Sequence, residues 1–162
     1  MVNYKKFLSL LSVFFTLVLG IVVLRLFNFF EMPELIETTF PPIHFIAFLG
    51  SYGTGIVILL LGLMAGFLCI LGTLIKPSFL VVTSNILCII ASLIAPIALL
   101  VTLPYAIMYL YFTGWLTLFV GLATIVQYLT YFLVPLMVTF TGVCTLVCSI
   151  IPLFRFNKRQ IA

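Results

Sequence analysis

The stretch LYFTGWLTLFVG, residues 110–121, carries no charge and holds two glycines, Gly114 and Gly121. It lies inside a longer run, residues 105–153, with no Lys, Arg, Asp or Glu. As one helix that run would measure roughly 73 Å, more than twice the ~30 Å hydrocarbon core of a bilayer. The stretch is therefore a span of its own, the end of a very long helix, or a turn, and the choice sets the topology.

Working outward, the whole chain has the composition of a membrane protein. Of its 162 residues, 65% are hydrophobic and 6% charged, and the mean hydropathy is +1.46. Soluble domains carry roughly 45–50% apolar and about 25% charged residues. So few charges cannot clothe a water-facing surface, and the chain is read as one all-α integral membrane domain over residues 1–162. The net charge of +4 comes from seven bases set singly or in small groups beside apolar runs, as topology signals and headgroup anchors are. A nucleic-acid groove, with clustered bases and interleaved aromatics, is excluded.

At about 20 residues per crossing, the apolar runs divide into spans near 7–30, 45–75, 79–103, 105–126 and 131–153. The first begins like a signal peptide, but its apolar run is too long and has no small-residue cleavage site, so it is expected to be retained. Proline placement favours this five-span bundle. Pro42, Pro77, Pro104 and Pro135 each stand at or near a span start, where the missing N–H leaves nothing unpaired. The stretch at 110–121 then belongs to a fourth span whose interfacial end carries Tyr105, Tyr109, Tyr111 and Trp115. Charge placement favours four. With four spans, Lys5, Lys6, Lys76, Arg155, Lys158 and Arg159 share one side and the three Glu the other, the third helix running to Phe112 and turning at Thr113-Gly114. With five, those bases divide evenly and the positive-inside rule is silent. The expectation is five spans, with four as the alternative.

No residue set carries chemistry. Glu31, Glu34 and Glu37 lie in the polar segment EMPELIETTFPPIH with His44 and read as a solvated loop or surface helix, because no other loop is polar enough to complete an active site. With one His, paired axial ligation of haem within the chain is impossible. Cys69, Cys88, Cys144 and Cys148 all sit in apolar runs and read as buried, reduced hydrophobes. Cys144 and Cys148, one helical turn apart, lack the second pair a metal site needs. No cofactor or metal is expected to bind this chain, whose surface is expected to meet lipid. Mid-membrane ionisable groups, the usual mark of a self-contained ion path, are missing, and Asn85 and Gln127 are the most polar interior candidates. In the second span, Ser51 with Gly55 and Gly62 with Gly66 form small-xxx-small pairs that let helix backbones approach closely, so these four are the predicted packing residues.

Two segments resemble a known family. Lys76-Pro77-Ser78, followed by an apolar helix, and then Tyr111, Leu118, Phe119 and Val120 are similar to elements of a membrane subunit of proton-pumping NADH:quinone oxidoreductase, respiratory complex I. That subunit is called subunit 6 in mitochondria and the J subunit in bacteria. The resemblance covers residues 75–121, and the family's glycine, two residues after the tyrosine, is here replaced by Thr113, with Gly114 one later. It implies a π-bulge that gates a water path, with Tyr111, Gly114 and Phe119 as candidate gate residues. It also implies a place in the mitochondrial inner membrane or a prokaryotic plasma membrane, among other membrane subunits of an electron-transport complex.

The function expected is that of a non-catalytic membrane subunit of a larger complex, not an enzyme by itself. The alternatives are a free-standing transporter or channel built as a homo-oligomer, and a small membrane enzyme acting on lipid or quinone through Glu31, Glu34, Glu37 or His44.

Overall fold

A computed structural model describes residues 4–29, 41–75, 78–117 and 122–157. Within them the chain forms four α-helices: α1 Tyr4–Phe29, α2 Pro41–Leu74, α3 Ser78–Thr117 and α4 Leu122–Asn157. Each contains a window long and apolar enough to cross a bilayer, namely Tyr4–Leu26, Phe48–Leu74, Ser78–Val101 and Leu133–Phe154.

The expected five spans are thus corrected to four. Residues 105–126 do not form a span of their own, because α3 runs unbroken through Pro104 and on through Thr113 and Gly114 to Thr117. Pro135, read as a span start, is interior to α4, as is Pro152. The physical reason lies in the solvent. A proline inside a helix removes one backbone hydrogen bond, whereas a reversal in hydrocarbon would strand several N–H and C=O groups with no water to meet them. The segment around Pro104 (VTLPY) also lacks the polar and glycine residues a reversal needs.

The helices run up and down in sequence order. Glycine contacts fix the α1–α2 pair: Gly66 packs on Val13, Gly62 on Leu17, Gly20 on Leu59 and Gly55 on Leu24. Each step of three or four residues along α1 is matched by an equal and opposite step along α2, which defines an antiparallel register. Gly72 against Val81 and Gly50 against Val101 set the same relation between α2 and α3. Helix α1 packs against all three others and α3 does likewise, while α2 and α4 make no contact among the described residues. The cross-section is a rhombus with α1 and α3 on its short diagonal.

Buried positions recur at alternating steps of three and four. On α2 they are Ser51, Gly55, Ile58, Gly62, Ala65, Cys69 and Gly72; on α3, Val81, Ser84, Cys88, Ala91, Ala95 and Ala98, with Asn85 and Ser92 buried beside that stripe. A repeat of 3.5 keeps the buried stripe facing its neighbours only if the helices wind around each other left-handedly. Small residues dominate the inside. Large ones face out, among them Leu63, Phe67, Phe79, Leu100, Leu136 and Phe140, each more than half exposed. In water this apolar exterior would far exceed the few hundred Å² a soluble monomer leaves uncovered. In lipid it carries no penalty, and close backbone packing of small residues holds the bundle together. The chain is an integral membrane protein.

The helices differ in length. At 26 residues α1 spans about 39 Å, whereas α3 at 40 and α4 at 36 reach about 60 and 54 Å. Because Gly55 meets Leu24 and Gly50 meets Val101, the C-terminal end of α1 lies near the level of Gly50 and Val101. Beyond it continue residues 41–49 of α2, 102–117 of α3 and 122–132 of α4.

Candidate functional site

The core changes character along its length. Toward the far end it is apolar: Leu19, Val23 and Leu26 of α1 pack with Ile58 of α2, Ala91, Ala95 and Ala98 of α3, and Val134 and Val138 of α4. Toward the end where α1 begins, a smaller apolar cluster of Val13, Ala65, Cys69 and Cys88 is accompanied by buried polar side chains. Ser9, Ser12 and Thr16 of α1, Ser84 and Asn85 of α3, and Thr141, Thr145 and Ser149 of α4 are all buried. Helix periodicity delivers this: Ser12 and Thr16 are one turn apart, as are Thr145 and Ser149, so each pair stacks on one face.

Hydrogen bonds from this polar tier reach all four helices. Asn85 Nδ2 on α3 donates to Ser9 Oγ on α1 at 3.0 Å, and Ser9 Oγ donates to Lys5 O at 3.0 Å. Ser149 Oγ donates to Thr145 O at 2.7 Å. Ser12 Oγ and Ser149 Oγ share a 2.5 Å hydrogen bond that joins α1 to α4. Thr16 and Thr145 donate to the carbonyls of Ser12 and Thr141, each at 2.8 Å. Ser84 Oγ donates to Ala65 O at 2.7 Å, tying α3 to α2. The Cys88 thiol lies beside the hydroxyls of Ser12 and Thr16. At the mouth of the tier, Lys6 Nζ donates to Thr73 O at 3.3 Å, placing a cation on the carbonyl-rich C-terminus of α2.

This tier holds hydroxyls, thiols and one amide, with no carboxylate or imidazole among its described residues. A serine hydroxyl without a base is a poor nucleophile. Among the described residues no group of three or more His, Cys, Asp or Glu stands close enough to hold a metal ion.

The predicted packing residues all lie on the face of α2 toward α1. Ser51 Oγ donates to Val23 O at 2.8 Å, crossing to the backbone of α1. A methyl group added at Gly55 would meet Leu24 Cα and N, each at 2.8 Å; at Gly62, Leu17 Cδ2 at 2.9 Å; at Gly66, Val13 Cγ1 at 3.3 Å. Of the predicted gate residues, Tyr111 and Gly114 belong to α3, where residues 111–117 are regular α-helix with no π-bulge. Their side chains, Gln127, Phe119 and the 31–37 acidic segment lie outside the described residues. His44 falls in the first turn of α2, its side chain likewise outside. The four cysteines are free thiols, Cys69 and Cys88 buried and the other two half-buried.

Asn85 was legible as an interior polar residue, but its partners were not singled out. Their signal is present in the sequence: Ser9, Ser12 and Thr16, and Thr141, Thr145 and Ser149, recur at helical spacing within otherwise apolar runs. The fold and this polar tier define a four-helix transmembrane bundle with an internally polarised core. No protein family, curated protein or solved structure matches the chain.

Proposed function

We propose that this chain is a non-catalytic membrane subunit that works by packing against other membrane proteins. The observation that carries this reading is the length of an uncharged helical hairpin. From Ser78 to Thr117 and from Leu122 to Phe154 there is no Lys, Arg, Asp or Glu, yet α3 alone is about 60 Å long. Roughly 30 Å of hydrocarbon covers about half of it, and tilts of up to about 40° recover only part of the excess. The surplus belongs to residues 102–117 and 122–132, apolar and aromatic in composition and extending past the end of α1. An apolar helical hairpin longer than its bilayer is best covered by protein.

The up-and-down order adds an orientation. Lys5 and Lys6 open α1, Lys76 follows the end of α2, Arg155 lies in the last turn of α4, and Lys158 and Arg159 follow it in sequence. By the positive-inside rule the end of the bundle where they fall faces the cytoplasm, or the matrix in a mitochondrion. The resemblance of residues 75–121 to the subunit 6 and J-subunit family makes the membrane arm of respiratory NADH:quinone oxidoreductase the first assembly to test. Against it stands the regular α-geometry at residues 111–117.

The test is the native mass of the particle in mild detergent, with mass spectrometry of what migrates alongside. Co-migration with flavin and iron–sulfur subunits supports the respiratory assignment, and co-migration with other membrane proteins supports the subunit reading alone. A small particle of this chain only would overturn both.

A second reading, a homo-oligomeric transporter, rests on the polar tier. It predicts solute flux from the pure protein in liposomes. The apolar tier of Leu19, Val23, Ile58 and Val138 opposes conduction through a single bundle, so a path would have to run between copies.

A further inference from the structure

Asn85 is fully buried, and its Oδ1 has no hydrogen-bond partner among the described residues. The tier's hydroxyl hydrogens have other acceptors: Ser9 donates to Lys5 O and Thr16 to Ser12 O, while Ser12 and Ser149 bond to each other. The tier is therefore short of donors and rich in lone pairs, on Asn85 Oδ1 and on the Ser9, Ser12 and Thr16 oxygens. Turning the Asn85 amide over would put Oδ1 beside Ser9 Oγ and the NH2 where Oδ1 now stands. Cys88, beside Ser12 and Thr16, supplies at most a weak donor.

We infer that the tier is a binding site for internal water, with Asn85 Oδ1 accepting a hydrogen bond from a water molecule that the hydroxyl oxygens of α1 also contact. Buried waters in proteins sit where two to four polar groups would otherwise go unpaired. Water is donor and acceptor at once, so it satisfies Asn85 in either amide orientation. A monovalent cation fits less well. No carboxylate lies among the buried groups, and Lys5 and Lys6 stand about one turn from Ser9 on the same helix. On the side away from the lysines the tier is bounded by the apolar side chains of Leu19, Val23 and Val138. This inference is independent of which assembly the chain joins.

The experiment uses the full chain, deuterated at carbon, labelled with 15N-asparagine and reconstituted in lipid nanodiscs. The readout is the cross-peak between the Asn85 side-chain amide protons and water. The chain has four asparagines, Asn3, Asn28, Asn85 and Asn157, and the Asn85 signal is the one lost in Asn85→Leu. Should that variant fail to fold, a uniformly 13C,15N-labelled sample assigns the wild-type signal through its sequential links to Ser84 and Ile86. The expected result is a water cross-peak at Asn85, direct or relayed through the Ser9 hydroxyl, since either route requires water in the tier. No cross-peak at Asn85, with cross-peaks present at Asn3 and Asn157, overturns the inference. A saturable shift of the Asn85 amide on adding sodium chloride, absent with choline chloride, also overturns it in favour of a cation site.

Discussion

Gly55 lies directly on the backbone of Leu24: a Cβ built there would stand 2.8 Å from both the Cα and the N of Leu24. Those atoms belong to a helix and cannot rotate aside. Gly55→Ala is therefore expected to push α1 and α2 apart and to destabilise the bundle by about 1–3 kcal/mol, the usual range for overpacking. Gly53, two residues earlier, has nothing within 4 Å of the same position, and Gly53→Ala should fall within about 0.5 kcal/mol of wild type. Reversible unfolding in mixed detergent micelles measures both. Equal losses would refute the close approach of α1 and α2.

Ser12 and Ser149 join α1 to α4 at 2.5 Å. Interhelical hydrogen bonds in membranes average about 0.6 kcal/mol, with a maximum of about 1.7. A double-mutant cycle on Ser12→Ala and Ser149→Ala should return a coupling in that range. Strictly additive single effects would mean that the pair is not formed.

The side of α2 that faces lipid and the side that faces protein should respond oppositely to truncation. Ile58 is fully buried and belongs to the apolar tier, whereas Ile56 is 48% exposed. Ile58→Ala should cost about 2–5 kcal/mol through the cavity it leaves. Ile56→Ala should change unfolding free energy by under about 0.5 kcal/mol, because lipid refills the space. The same unfolding assay separates them, and a reversal of the two would place the wrong face inward.

Four helices put both ends of the chain on one side of the membrane, and five would put them on opposite sides. Epitope tags before Met1 and after Ala162 should become protease-accessible together in sealed vesicles of one orientation. Protection of one tag with digestion of the other would restore the five-span topology.

Pro104 explains where the sequence reading of topology went astray. Proline as a start signal is a rule of helices in water, where a broken helix finds replacement hydrogen bonds at once. In hydrocarbon the balance reverses, and α3 carries Pro104 within it. The bases told the other side of the story: Lys5, Lys6, Lys76 and Arg155 fall at one end of a four-helix order, as the positive-inside rule requires. The four-span alternative still located its turn too early, at Thr113-Gly114, because Gly reads as a breaker in isolation. One glycine in a long apolar helix gives up only about 1 kcal/mol. In α2, Gly55 and Gly62 were legible as small-xxx-small positions, since their spacing alone puts them on one face.

The sequence by itself determined the solvent, the secondary structure class and which helix face on α2 could come close to another. These follow from composition and local spacing, which the tertiary fold cannot alter. Only the tertiary structure decided the helix count, the antiparallel register of α1 on α2, and the joining of Ser12 with Ser149 and Ser9 with Asn85 across most or half of the chain. The helices here are apolar all round, so periodicity of hydrophobicity does not mark their inner faces. Small residues and hydroxyls at helical spacing mark a face, but which face meets which is a property of two helices together, which no single helix sequence contains.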